Sequence, residues 1–379
     1  MSKAAELANL IGNINAGGGG VNRNVIINGA MNVAQRGTSS TGLGADSDDG
    51  KYPTVDRFQI SPGNTSGRFT MTQDSSAPSG FANSTKLACT TADTSIASNE
   101  ILVFKQKIEG QNLQAFAKGT SDAKPFAVSF YVKGNASATY VCELMDYDNS
   151  NRHVNKSFTV TTDWTRVELS FPPDTTGALD DDNAHSFDLN IWLHSGSDRT
   201  SGSLQTTWGA LNQANRAVGI SSFFDSTDRT FFITGVQLEV GQNPTSFEHE
   251  PIDRTLAKCK RYYYKSMDGN PQDQIPTSDG ISGDGYHCWS YFSTTSARSP
   301  YFFHPVQMRA DPTVTLFSSA RTSGASSGIT AYYPGSWTAV NSNGATVDVN
   351  KLALYAVTGS VTSGQSYLFA GGFQCDAEL

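Results

Sequence analysis

Charge is scarce in this chain. Only 16% of its 379 residues are Asp, Glu, Lys or Arg, and they leave a net charge of −8 and a pI near 5.2. A nucleic-acid binder needs a basic face across a whole domain, and none can be assembled here. Lys105 with Lys107, and Lys258, Lys260, Arg261 and Lys265, are local patches that read as solvated faces. Long runs of Leu, Glu, Lys and Ala are missing after the first dozen residues, so few helices are expected. The five cysteines (Cys89, Cys142, Cys259, Cys288, Cys375) are scattered, odd in number and never spaced as CxxC. That argues against structural zinc and against a disulfide framework, which suits a reducing cytoplasm. Alternation with Tyr140 and Leu144 marks Cys142 as a small core residue. No apolar run reaches membrane-spanning length, and MSKAAELANLIGN lacks a secretory pattern, so export by an amino-terminal signal peptide is not expected. Catalytic motifs are missing too: there is no GxSxG, no P-loop and no HExxH, and the six histidines are dispersed.

What the chain does have is glycine (35 residues), abundant Ser and Thr, and 11% aromatics arranged in short Val/Ile/Phe/Tyr/Thr runs between turn residues. This is the vocabulary of an all-β protein. Three blocks emerge: 1–21, 22–250 and 251–379.

The first opens with SKAAELANLIGNI. Ser2 can cap a helix, Glu6 sits in its first turn, and Gly12 is expected to end it early. Ala4, Leu7, Ile11 and Ile14 are spaced three and four apart, the a/d pattern of a coiled coil. Two heptads do not associate alone. A frayed terminal helix fits this segment; an anchor or small oligomer seam, built on Leu7, Leu10, Ile11 and Ile14, is the preferred reading, because flexible Gly17–Gly20 follows as a tether.

The second block reads as a β-sandwich of the jelly-roll kind, through runs such as VDRFQI, GRFTMTQ, STKLACTT, EILVFKQKIEG, KPFAVSFYVKG, ATYVCELMDYD, WTRVELSFP, HSFDLNIWLHSG and RTFFITGVQLEVG. NVIINGAMNVAQRG is expected to be its first strand. Phe126, Val128, Phe130 and Val132 share one face, as do Val167, Leu169 and Phe171, and again Phe187, Leu189, Ile191 and Leu193. Period-2 alternation sends each set into the core. The third block starts with a short helix that Asp253 can cap, with Leu256, Cys259 and Tyr263 on one side, and continues as a smaller β-domain.

Between the two β blocks lies GVQLEVGQNPTSFEHEPIDRTLAKCKRYYYKS, residues 235–266. Val236, Leu238 and Val240 form the inner face of a closing strand, Pro244 stops ladder pairing, and Phe247 can plug the base of the sandwich. Tyr262–Tyr264 can stack or contact phosphate; packing between domains is the favoured role.

This junction resembles that of bacteriophage tail-fibre and virion structural proteins, in which a jelly roll like a carbohydrate-binding module precedes a carboxy-terminal β-domain. Gly235, Gln237, Glu239, Gly241, Pro244, Phe247, Glu248, Cys259, Arg261, Tyr262 and Tyr263 carry the likeness. NVIINGAMNVAQRG, VDRF, HPVQMRADPTVTL and the DAEL ending resemble further stretches of the same family. The resemblance implies a virion protein assembled in the host cytoplasm, structural and adhesive, with glycan receptors. By analogy with fibres it also implies a homotrimer that meets other virion proteins through the amino-terminal segment.

For a ligand site the strand HSFDLNIWLHS is the most informative. Its non-core face carries Asp188, Asn190, Trp192 and His194, an indole among polar groups, which suits a sugar's C–H face and hydroxyls. Tyr131 and Lys133, and Val141 and Glu143, point to the non-core side of their strands. A shared sheet would make them one shallow platform. Two readings stay open: that platform, or a Trp192 packed against a neighbouring subunit or under the loop from 195 to 230. No cofactor is expected. LDDDN (Asp180, Asp181, Asp182) offers calcium oxygen ligands but lacks the regular spacing and glycine of a known loop, so solvated carboxylates are favoured; the same holds for the FEHEP turn.

The expected architecture is therefore all-β: a short helix, a jelly-roll β-sandwich, then a smaller β-sandwich domain. The expected function is non-catalytic attachment to a host-surface glycan by a virion fibre protein. A purely structural head or tail decoration protein is the first alternative, and a carbohydrate-active accessory module or depolymerase the second.

Overall fold

A computed structural model describes residues 2–15, 22–266, 288–290, 292–293, 296–318, 330–333, 336–339, 342–357 and 367–379. Contacts divide the chain into two units, Met1–Thr255 with Leu379, and Leu256–Glu378. No helix among the described residues is long and apolar enough to cross a membrane.

The first unit begins with α1 (Lys3–Asn15). The hydroxyl of Ser2 accepts from Ala5 N at 3.3 Å, as a cap should. Gly12 does not end the helix, which continues to Asn15. Leu7 and Ile11 are 57% and 49% exposed, so the apolar stripe faces solvent within the protomer. Leu10 is half-buried, and Ile14 lies in the last turn of the helix. Gly17–Gly20 fall outside the described residues.

Eleven strands follow: β1 (Ser39–Leu43), β2 (Gln59–Gly63), β3 (Arg68–Asp74), β4 (Ser84–Thr91), β5 (Ile101–Glu109), β6 (Phe126–Gly134), β7 (Ala138–Asp146), β8 (Arg152–Val160), β9 (Thr165–Phe171), β10 (His185–Ser195) and β11 (Thr230–Val240). They form two antiparallel sheets, six strands in the order β1-β3-β4-β11-β6-β9 and five in the order β2-β5-β10-β7-β8. The all-β sandwich read from the sequence is the fold observed. Every residue assigned inward from β6, β9 and β10 lies in one apolar core, joined by Val236, Leu238, Val240, Tyr140, Cys142 and Leu144. Burial of each large side chain contributes about 1.5–3 kcal/mol. Strand β8 was not foreseen, because RHVNKSFTV intersperses polar residues that the tertiary structure also buries.

NVIINGAMNVAQRG is not a strand but a run of turns. Its polar side chains explain the sequence. Asn28, at φ 61°, accepts from Asn32 N and Val33 N at 3.0 Å and donates to Val33 O and Asp56 O. Asp56, from the VDRF stretch, accepts from the backbone of Gln35 at 2.8 Å. Two separated motifs thus form one buried polar network, consistent with the rule that buried polar groups are hydrogen-bonded.

The junction strand is equally specific. The side chain of Glu239 accepts from Thr245 N (2.7 Å) and Thr245 Oγ1, with Arg23 Nε at 3.3 Å. Gln237 accepts from Glu248 N at 2.8 Å. Glu248 in turn accepts from Asn22 N and Asn24 N, which makes the FEHEP turn a clasp on the segment entering the sandwich. Phe247, half-buried, packs on Phe81 with 5.0 Å between centroids.

In the second unit α3 (Ile252–Lys260) spans the division; Asp253 lies inside its first turn and not at the cap. Tyr262, Tyr263 and Tyr264 are buried (1%, 3% and 6% exposed). Tyr264 belongs to an apolar cluster with Met308, Leu316, Leu352, Leu354, Phe373 and Cys375, and its hydroxyl meets His304 Nδ1 at 2.6 Å. They are packing residues, which leaves no free rings for stacking a ligand. The strands Thr313–Ser318 and Tyr263–Lys265 both pair with Tyr367–Asp376, and Lys351–Val357 pairs with Ser342–Val347.

A bulge in β11 sets the face opposite the core. Register shifts between Thr234 and Gln237, and Gly235 sits there at φ +63°. A Cβ at Gly235 would lie 2.7 Å from Phe81 Cζ and 3.0 Å from Tyr131 Cδ2. Gly235→Ala should therefore lower unfolding free energy by about 1–3 kcal/mol, through overpacking and left-handed backbone. Denaturant titration checks this; an unchanged midpoint would refute the bulge argument.

Candidate functional site

The outer face of the five-stranded sheet carries the residues read as a sugar platform. β10 and β7 pair with Asn190 opposite Glu143 and Trp192 opposite Val141, so these two strands do present one row of outward side chains. Alternation assigned their direction correctly. Exposure is another matter: Asp188, Asn190, Trp192, His194 and Glu143 are each 2% exposed or less.

The segment after β10, including α2 (Ser197–Thr200), covers them. Its backbone pairs with the edge strand β8, Gly209 exchanging hydrogen bonds with His153 at 3.0 and 3.2 Å, while Asn155 N donates to Gln205 O at 2.6 Å. Ala217, Leu204 and Ile220 pack with Trp192, Val103 and Val141 in a second apolar cluster. At the centre, Arg216 holds Glu143 with both ends of its fork, Nε to Oε1 at 2.8 Å and Nη2 to Oε2 at 2.7 Å. The guanidinium carbon lies 4.7 Å from the Trp192 ring centroid. Glu143 also accepts from Trp192 Nε1 (2.9 Å), Asn190 Nδ2 (3.0 Å) and His153 Nδ1 (3.1 Å). His153 Nε2 faces Asn212 N at 3.4 Å, consistent with the proton on Nδ1.

Burial by itself raises a carboxyl pKa, but the charge and hydrogen bonds of Arg216 together with His153 outweigh it and hold Glu143 down at about 2. His194, held by Glu100 at 2.9 Å and Ser222 at 2.8 Å, is kept below the usual imidazole value by burial, against the pull of Glu100. Asp188 meets His185 Nε2 at 2.6 Å, with Lys105 Nζ at 3.7 Å. Of the two readings the exposed indole platform is therefore corrected, and Trp192 lies under the loop from 195 to 230. Glu143, Asn190, Trp192 and His194 belong to an internal network that holds the covering segment to the sheet, while Asp188 pairs with His185 and Lys105.

Tyr131 is not with them. β6 belongs to the six-stranded sheet, so Tyr131 and Lys133 lie on the other outer face of the sandwich. There a row of outward residues crosses three strands, Lys86 of β4, Phe232 of β11 and Lys133 of β6. Phe232 is nearly buried at 8% exposure, with Lys86 Nζ 5.3 Å and Lys133 Nζ 4.9 Å from its centroid. Lys133 Nζ is also 5.5 Å from the ring of Trp164, which stands at 74° to Phe232. Trp164, Tyr131 and Phe81 are half-buried, and Phe81 lies 5.3 Å from Tyr131. Trp164 is the aromatic that the sequence reading passed over. It sits just before β9 at the head of WTRVELSFP, where the alternation that sends Val167, Leu169 and Phe171 inward puts position 164 on the outer side, but only the inner set was taken from that run.

Asp180, Asp181 and Asp182 are exposed, and Asp182 Oδ1 accepts from Ala184 N at 2.9 Å. No group of three or more His, Cys, Asp or Glu placed to hold a metal occurs among the described residues.

No protein-family model matches this chain, and no curated protein sequence matches it. Among solved structures it is similar to a CBM4 carbohydrate-binding module (10% identity, TM-score 0.31), over 56% of this chain and 97% of that one. A family 11 carbohydrate-binding module from Clostridium thermocellum, in complex with a β-1,3-1,4-mixed-linked tetrasaccharide, matches at 11% identity and TM-score 0.28, over 56% and 99%. The enzymatically active domain of tailspike protein 4 of bacteriophage CBA120 matches at 14% and 0.30, over 57% of this chain and 21% of that one. These likenesses are too distant to bear on what the chain binds.

Two measurements test the sealed face. Glu143→Gln leaves the Arg216 charge uncompensated and should cost about 3–5 kcal/mol of unfolding free energy. The pair Glu143→Gln with Arg216→Met should recover much of it; additive losses would refute the coupling. Because folding lowers the Glu143 pKa from 4.5 to about 2, the unfolded chain binds more protons between those values. The contribution is complete above pH 4.5 and is lost as pH falls toward 2. Stability followed by chemical denaturation across that window should drop in the parent more steeply than in Glu143→Gln.

Proposed function

We propose that this chain is a non-catalytic virion protein of the fibre type that attaches to a host-surface glycan. The observation that carries the attachment reading is the presence of half-buried aromatics on the outer side of the six-stranded sheet, Trp164 beside Lys133 and Phe81 against Tyr131. Sugar rings stack their C–H faces on such side chains, while polar groups beside them take the hydroxyls. The fibre reading is supported by the junction motif of residues 235–266. The exposed Leu7 and Ile11 on α1 support assembly of several copies into a homotrimer, through which weak single sites gain avidity, with the same segment meeting other virion proteins.

A purely structural decoration protein is the second reading. It is favoured by the sealing of the other sheet, which makes that face part of a rigid body. Full-length protein on a glycan array and on host cells separates the two: retention by glycans, reduced tenfold or more by Trp164→Ala, supports attachment. No binding by a correctly assembled sample overturns it in favour of decoration. New reducing ends from host polysaccharide would overturn the non-catalytic assignment.

Light scattering should give about three times the 40.6 kDa chain mass, falling to one with Leu7→Asp and Ile11→Asp together. A monomeric parent would refute the trimer.

A further inference from the structure

We infer that the row of Lys86, Phe232 and Lys133 on the outer face of the six-stranded sheet, half-buried at its two lysines, takes an acidic glycan, one whose sugars carry carboxylate, sulfate or phosphate groups. This rests on the attachment reading above and narrows its ligand class. Within a chain of net charge −8, two ammonium groups flank one aromatic floor, Lys86 and Lys133 on either side of Phe232, in one cross-strand row. Neighbouring strands are about 4.8 Å apart, so the two lysine backbones stand about 10 Å from each other. Both ammonium nitrogens lie over the Phe232 ring, and both lysines are half-buried.

Both heads retain capacity for an anion. Lys133 Nζ donates to Ser76 Oγ at 3.0 Å, and an ammonium has three donors. Lys86 Nζ is 3.8 Å from Asp74 Oδ2, in a pair whose side chains are 33% and 27% exposed. Such a pair contributes about 0–1 kcal/mol and yields to a better-placed anion. The next acid on this face, Glu168, is bonded to Arg166 Nη1 at 2.5 Å and does not oppose the lysines. Trp164 stands beside Lys133 as the stacking wall. A neutral sugar would meet the aromatic groups and leave Lys133 without an anionic partner and Lys86 with only its exposed pair to Asp74; an acidic sugar engages both features.

The test is an array on which each acidic oligosaccharide (uronate, sialate, sulfated or phosphorylated) stands beside its neutral counterpart, with single-stranded dT15 as an anionic polymer that is not a glycan. Full-length protein should favour acidic members at least tenfold, and that preference should shrink from 50 to 300 mM salt. Lys86→Met and Lys133→Met keep the apolar stems and remove the charges. Each should lower binding of acidic members about tenfold and of neutral members at most twofold, whereas Trp164→Ala should weaken both alike. Binding of acidic and neutral members alike, or of dT15 as strongly as the best glycan, overturns the charge assignment while leaving attachment in place. Binding of no glycan overturns both. The parent's acid-to-neutral ratio and its salt dependence decide the matter even if a variant fails to fold.

Discussion

The buried ion pair between Glu143 and Arg216 organises the sandwich. A carboxylate with no exposure is tolerable only when it is fully hydrogen-bonded and matched by charge. Here the guanidinium, an indole, an amide and an imidazole all converge on it. These groups come from three places in the chain, the indole and amide from β10, the imidazole from β8 and the guanidinium from the segment after β10, so satisfying one acid of β7 fixes all four together. The part of that sheet's outer face around Glu143, Asn190 and Trp192 is thereby removed from solvent. On the outer side of the six-stranded sheet Lys86, Lys133 and Trp164 stay half-buried, while Phe232, Gln237 and Glu239 of β11 are buried.

The second organising element is the closing strand β11, which works on both faces. Val236, Leu238 and Val240 complete the core, while Gln237 and Glu239 anchor the loop that follows. Glu248 then fastens Asn22 and Asn24 at the start of the sandwich. The polar residues of the junction motif are thus structural clasps. Gly235 adds the bulge that lets Phe81 and Tyr131 meet over the strand.

Much of the fold was legible. Phe126, Val128, Phe130, Val132, Phe187, Leu189, Ile191 and Leu193 announced their faces by period-2 alternation, because successive side chains of a strand must point to opposite sides. The candidate site was legible only in direction. Asp188, Asn190, Trp192, His194 and Glu143 do point away from the core, yet a sequence read strand by strand cannot say whether a distant segment lies over them. Tyr131 was placed beside them on the assumption of one sheet; strand order put it on the other. NVIINGAMNVAQRG looked extended because its apolar residues alternate, and its asparagines turned it instead by bonding nearby backbone.

The sequence by itself determined an all-β chain, the inner faces of its strands, the change of character after residue 240 and the apolar stripe of α1. These are local or periodic properties, encoded in residues close together along the chain. Tertiary structure alone decided which outward residues are covered. That choice depends on Arg216 reaching Glu143 across 73 positions and on Trp164 standing beside Lys133 and Phe232, contacts between remote segments that no local period records.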